Sequence, residues 1–247
     1  MNNQAFFDTK TSLKLFGLNK DLKFLNSLYL KDKLPNVLMF TGNKGVGKST
    51  LINHFLFSVF DEHNYNFKDQ SLSTPSNFYN QFTKELNPNI IYLKGSNMNT
   101  NKIEDIRNLK KQIYQSNIIG KNRFIIFDDI ELFNLNSLNA LLKIIEEPSK
   151  NNYFLLINNK SKPLIETISS RALEIKILID ESQRLKIIEN LIKIFELELV
   201  LKPKESQLSP GNFVKFNYLC KENKISPSED FVKNLSILLN LYKKNKD

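Results

Sequence analysis

Residues 41–50 read Thr-Gly-Asn-Lys-Gly-Val-Gly-Lys-Ser-Thr. Glycines at 42, 45 and 47 let the backbone come close to an anion without Cβ atoms in the way. Successive N–H groups in such a turn point inward at phosphate oxygens. The spacing Gly42-x4-Gly47-Lys48-Ser49 is that of a P-loop. In this reading Gly42, Asn43, Lys44, Gly45, Val46, Gly47, Lys48, Ser49 and Thr50 hold ATP or ADP. Lys48 reaches the β and γ phosphates, and Ser49 places its hydroxyl on Mg²⁺. The metal's water shell needs a carboxylate as well. The run FIIFDD supplies Asp128 at the tip of an apolar segment. Asn159, closing FLLINN, is placed to hydrogen-bond a γ-phosphate or an attacking water, the role of a sensor; an ordinary turn asparagine is the competing reading. Arg171, in ISSRALEI, carries the planar fork that stabilises phosphoryl-transfer charge when it is supplied in trans. A surface salt bridge is its plainer reading.

These groups need elements to hold them. NVLMFT (36–41) is a short apolar run, read as a buried strand entering the glycine turn. After Lys48 the apolar positions Leu51, Ile52, Phe55, Leu56, Val59 and Phe60 follow helical spacing. Strands are also predicted at 89–94, 123–131, 152–159 and 172–178. Helices are predicted at 102–116 and 137–149, the latter stopped by Pro148. Residues 61–87 are polar and weakly periodic, and read as a surface excursion. Alternating strand and helix implies a parallel sheet with helices on both faces. In such a sheet ligands sit beyond the carboxyl ends of the strands, which puts Asp128 on the edge of the P-loop. After residue 180 the pattern becomes helical throughout, with a capping box predicted at Ser226 or Ser228 ahead of Glu229.

The 247 residues are 41% hydrophobic, enough for one large domain or two small ones, and carry a net charge of +9. That charge favours a polyanion as partner, although lysine is spread along the whole chain. One cysteine excludes an internal disulfide, and with two histidines it leaves no zinc quartet. No apolar run approaches membrane-spanning length, and a cytoplasmic protein is expected.

The motifs GNKGVGKST, IEDIR, FIIFDD, NALLKIIEEPS, FLLINN and TISSRA occur in that order. Together they resemble the clamp-loader branch of the AAA+ ATPases, and within it the delta-prime subunits of bacterial DNA polymerase III. The helix-turn Asn139-Ala140-Leu141-Leu142-Lys143 followed by Glu146-Glu147-Pro148 is the most specific part, and Ile103 to Arg107 fits too. The resemblance spans about residues 15–178. It implies an α/β P-loop AAA+ domain (1–179) with a five-stranded parallel sheet, then a small all-helical lid (180–223). Residues 224–247 would begin a truncated or shortened collar. It implies ATP/ADP and Mg²⁺ as cofactors, with Ser49 and Asp128 on the metal side. It implies gamma/tau and delta-like subunits as ring partners, with sliding clamp and primed DNA reached through the complex.

Ser170-Arg171 match the family's Ser-Arg-Cys motif, and by that resemblance Arg171 would be an arginine finger for a neighbour's ATP site. The third position is Ala172. Asp129 stands where hydrolysing relatives carry a water-positioning glutamate, and it is one methylene shorter. The family's four-cysteine zinc module is absent. The lid arginine after the glycine turn is missing too, since Gly211 is followed by Asn212 and then, further on, Lys215. The expectation is a subunit that binds nucleotide, turns it over slowly, and serves mainly through Arg171. A motor-type subunit, a nucleotide-stabilised scaffold and, less favoured, a P-loop kinase are the competing readings. Arg107, Lys110 and Lys111 are candidate contacts to DNA phosphates.

Overall fold

The computed structural model describes residues 8–73, 76–95, 106, 108, 122–148, 151–225 and 231–244. The described chain forms two compact units: residues up to 43 with 48–178, and 44–47 with 179–247.

The first unit is built on strands β1 (Val37–Thr41), β4 (Ile90–Lys94), β5 (Arg123–Asp128), β6 (Asn152–Asn158) and β7 (Leu173–Lys176). They form one sheet in the order β4-β5-β6-β1-β7, every pairing parallel. This is the predicted five-stranded arrangement. β1, β5 and β6 are buried at every position, as central strands covered on both faces must be. β4 and β7 are the edges and are more exposed.

Side-chain alternation assigns the two faces. Val37, Met39, Ile125, Phe127, Phe154 and Leu156 pack against helix α4 (Leu135–Ile145) through Leu138, Leu141, Ile144 and Ile145. α4 starts earlier than predicted because Asn134 caps it, accepting from the Ser137 N–H at 2.8 Å. On the opposite face lie α1 (Asn19–Leu30) and α2 (Lys48–Phe60). There Phe55 meets Phe124 edge-on at 5.7 Å, and Phe124 stacks on Tyr153 at 5.1 Å.

The excursion at 61–87 is more ordered than the sequence suggests. It folds into a hairpin of β2 (Tyr65–Asn66) and β3 (Ser71–Leu72), then helix α3 (Asn77–Thr83). Phe82 packs on Phe57 at 5.0 Å and Phe78 stacks on Phe60 at 5.4 Å. A few aromatics suffice to dock the segment on α2, and the polar residues around them hide that periodicity. The helix predicted at 102–116 lies outside the described residues, apart from Ile106 and Asn108, which are helical. The capping box at Ser226, Ser228 and Glu229 lies outside them too.

The second unit contains α6 (Glu181–Phe195), α7 (Pro210–Glu222) and α8 (Phe231–Lys244) around Ile188, Leu201, Phe213, Phe216, Cys220 and Ile225. Asp180 opens α6 with a capping box to Gln183. Asn217 ties the connection to α7: its Oδ1 accepts from the N–H groups of Val200 (2.8 Å) and Leu201 (2.9 Å). Within the same unit, Ser209 Oγ donates to the Lys44 carbonyl at 2.6 Å and Gly211 N–H to the Gly45 carbonyl at 2.8 Å. A Cβ on Gly211 would stand 3.0 Å from that carbonyl oxygen, so glycine suits this approach.

His54, on α2, is fully buried. Its Nε2 faces the Ser12 carbonyl at 3.1 Å and its Nδ1 faces the Tyr65 hydroxyl at 2.9 Å. A carbonyl only accepts, so Nε2 carries the proton and Nδ1 accepts from Tyr65. Burial pushes the ring's pKa from 6.5 down to about 4, against the opposing pull of the Ser12 carbonyl. Between those values the unfolded chain binds a proton that the folded chain does not. Stability is therefore full above the unfolded value and falls as pH drops toward 4, by about 3 kcal/mol. Urea midpoints at pH 7.5 and pH 4.5 measure that fall, and His54→Gln should flatten the dependence.

Candidate functional site

The loop between β1 and α2 is turned by three left-handed glycines, with φ of 150° at Gly42, 86° at Gly45 and 105° at Gly47. Lys48 is the first residue of α2, with Ser49 and Thr50 behind it. Lys48 is buried, and its Nζ donates to the carbonyls of Gly42 (2.5 Å) and Asn43 (2.8 Å). The predicted loop residues are thus at the carboxyl end of a central strand and at a helix N-terminus. Thr41, just before the loop, donates through Oγ1 to Glu174 Oε1 of β7 at 2.6 Å, pinning strand to strand beneath it.

Asp128 ends β5. It shares the parity of Phe124 and Ile126, so its side chain belongs to the α2 face of the sheet. Its Oδ1 accepts from the Asp129 N–H at 3.0 Å, and its Oδ2 accepts from the Tyr92 hydroxyl of β4 at 2.6 Å. Burial, reinforced by Asp129, raises the Asp128 carboxyl above its ordinary value, while the Tyr92 hydrogen bond pulls the other way. Burial, together with Asp128, lifts the Tyr92 phenol well above its own.

Asp129 adopts a left-handed backbone, φ 53° and ψ 49°, which aspartate tolerates better than most residues. Its Oδ1 accepts from Asn159 Nδ2 at 2.7 Å. The two candidate catalytic residues of the chain's own pocket are therefore joined to each other. Glu131 was not singled out by the sequence. It is buried, and its Oε1 accepts from Ser161 Oγ at 2.7 Å and from the Asn159 N–H at 3.2 Å. It fastens the loop after β6 that carries Asn159. A third acid in FDDIE is the only hint the sequence carries, and short acidic runs are normally solvated.

Arg171 lies elsewhere. It follows the short helix α5 (Glu166–Ser169) and precedes β7, whose first residue, Leu173, pairs with Leu38 near the start of β1. Strands run parallel, so Arg171 is at the amino edge of the sheet and the P-loop is at the carboxyl edge. β1 alone spans five residues, about 16 Å at ~3.3 Å per residue. The side chain is at the surface, 37% exposed, with Nη2 on Glu146 Oε1 at 2.7 Å and Nη1 on the Thr167 carbonyl at 3.0 Å. Glu146, which the sequence marks only as part of a signature helix-turn, thus has a definite partner. Arg107, Lys110 and Lys111 lie outside the described residues.

The donor set suits a polyphosphate with a hard divalent cation: a glycine-turned loop leading into a helix N-terminus, one ammonium, a hydroxyl at the helix start and a carboxylate at the end of β5. Removing the Glu131 carboxylate strips two part-buried hydrogen bonds from the Asn159 loop. Glu131→Ala should therefore lower unfolding free energy by about 2 kcal/mol, and Glu131→Gln, which keeps an acceptor, by less. Urea denaturation of the variants checks this.

Several known proteins resemble this chain in sequence or in fold. A DNA polymerase III subunit delta′ from Buchnera aphidicola subsp. Baizongia pistaciae is 38% identical over 71 residues, 29% of this chain and 21% of that protein. A DNA polymerase III subunit tau/gamma from Haemophilus influenzae is 29% identical over 157 residues, 62% of this chain and 22% of that protein. The chain thus spans about a fifth of the length of these relatives. The solved structure of the Thermotoga maritima RuvB Holliday junction branch migration motor superposes with a TM-score of 0.51 at 15% identity, covering 89% of this chain and 68% of that one. That likeness shows the fold, which is of the P-loop AAA+ type. The family model described as DNA polymerase III, delta subunit, matches residues 17–180, about two thirds of the chain, and the chain belongs to that family.

Proposed function

We propose that this chain is a clamp-loader subunit of the replicative DNA polymerase III assembly. It holds ATP or ADP with Mg²⁺ at residues 42–50 and Asp128, and it lends Arg171 to the nucleotide site of an adjacent subunit. The place of Arg171 is the observation that carries this reading. A guanidinium at the amino edge of the sheet is separated from its own P-loop by the length of a strand, and its surface position leaves it able to meet another chain.

Bound nucleotide would supply the phosphoryl group, and Mg²⁺ would supply the positive charge that offsets it. The chain's own residues would do the rest. Backbone N–H groups of the loop and the start of α2 would hold the phosphates, with Lys48 exchanging its carbonyl partners for phosphate oxygens. Asp128 would accept from the metal's water shell, and Ser49 would sit on the metal. Asp129 is tied to Asn159 and is short for positioning water, which supports slow turnover at this site. The partners in this reading are gamma/tau-type and delta-like subunits, with the sliding clamp and primed DNA reached through the assembled ring. The Haemophilus influenzae relative, a tau/gamma subunit, favours the second reading, a motor that hydrolyses ATP itself.

Fluorescence titration of the purified chain with a labelled ATP should give saturable binding, reduced at least about tenfold by Lys48→Ala; no binding at millimolar nucleotide would end the cofactor half of the proposal. In a reconstituted loader with clamp and primed DNA, Arg171→Ala should slow hydrolysis at the neighbour's site by on the order of 10³-fold. Unchanged hydrolysis there would end the other half. Vigorous ATPase activity of the isolated chain would favour the motor.

A further inference from the structure

The Tyr92–Asp128 contact has no part in the reading above. Tyr92 stands on β4, in register with Ile126, two residues short of Asp128 on the adjacent strand. Both residues occupy the same face of the sheet, so the phenol crosses the pair diagonally, a reach that suits an aromatic side chain. The ring is held from the other side by Lys10, whose Nζ lies 4.3 Å from its centroid. Lys10 is in turn paired with Glu85. The 2.6 Å separation lies within the range of a charge-assisted O–H···O⁻ bond, the stronger class of hydrogen bond.

The direction of this bond matters. β5 lies between β4 on one side and β6 on the other, and the P-loop follows β1, beyond β6. Tyr92 therefore draws Oδ2 of Asp128 toward the edge strand, away from the P-loop side. The other oxygen is already engaged by the Asp129 N–H. A carboxylate so held meets the water shell of a divalent cation with both oxygens already accepting from the protein. Each oxygen keeps a second lone pair, but turning the carboxylate toward the cation would pull Oδ2 away from the phenol. The phenol in turn would lose its acceptor in a buried setting, which adds to the cost.

Resting on the proposed nucleotide site, we propose that Tyr92 is a positioning residue that competes with the hydrated divalent cation for Asp128, so that this chain takes nucleotide with little help from Mg²⁺. The hydroxyl is the active part of the device; the ring serves to aim it.

The test is a double-mutant cycle on the full chain, read by equilibrium fluorescence titration with a labelled ADP in Mg²⁺ and in EDTA. The quantity of interest is the ratio of the two dissociation constants. In the wild-type chain that ratio should be small, about twofold. Tyr92→Phe keeps the ring and removes the hydroxyl, and should raise the ratio about tenfold. In an Asp128→Asn background the same Tyr92→Phe change should leave the ratio alone, because the competition has lost its object. Circular dichroism and urea midpoints of each variant report whether folding is intact. Tyr92→Leu serves as a second variant: it removes the ring and the hydroxyl donor together, and should also raise the ratio. Equal ratios in wild type and both Tyr92 variants, with nucleotide still bound, would overturn this inference and leave the nucleotide site standing. A rise that persists in the Asp128→Asn background would also overturn it, since the effect would then not run through Asp128. No binding by any of the proteins in either condition would overturn the nucleotide reading and this inference together.

Discussion

Parallel pairing of β1 with β6 on one side and β7 on the other is the constraint from which the site follows. Val37 to Thr41 pair with Phe154 to Asn158, and Leu38 to Thr41 with Leu173 to Lys176. With every strand pointing the same way, each turn that leaves a strand emerges on one edge and each segment that enters a strand arrives on the other. The glycine loop, Asp128 and Asn159 all leave strands. Arg171 enters one. No side-chain interaction is needed to separate these two groups; the backbone hydrogen bonds of the sheet do so. The apolar side chains that bury both faces of β1, β5 and β6 keep those bonds away from competing water.

At the carboxyl edge, three carboxylates crowd into four successive positions, Asp128, Asp129 and Glu131, and all three are buried. Buried carboxylates are costly without donors. Each here has one of a different kind: a phenol for Asp128, an amide for Asp129, and hydroxyl and backbone N–H donors for Glu131. The acid cluster is thereby stabilised by its surroundings, and the same bonds bind β4, β5 and the loop after β6 into one piece. Lys48 is likewise settled on its own loop carbonyls. In the proposed reading, a nucleotide would have to draw Lys48 off these carbonyls. This is why the identity of the donors matters as much as the P-loop itself.

At the amino edge the chemistry is simpler. Arg171 is exposed, and its bond to Glu146 is a surface ion pair of modest strength. Such a pair costs little to break and restricts the guanidinium to one region of the surface. The pairing also gives a physical sense to the helix-turn at 139–148: α4 ends where its acid can meet an arginine arriving from α5.

The sequence alone determined the parts whose signal is local. A P-loop is a run of neighbouring residues, and its backbone geometry follows from glycines at fixed spacing. Asp128 was legible because an apolar run that ends in an acid leaves few other placements in an alternating α/β chain. Strand and helix order followed from the period of apolar residues. Contacts between residues distant in sequence were not legible. Tyr92 to Asp128, Glu131 to Ser161 and Arg171 to Glu146 each depend on strand order and register, which no local pattern encodes. The internal order of the segment at 61–87 was not legible for the same reason: its aromatics acquire a purpose only when α2 presents Phe57 and Phe60 to them. Local spacing fixes which groups can do chemistry. The pairing of distant strands decides which of them meet, and on which edge of the sheet.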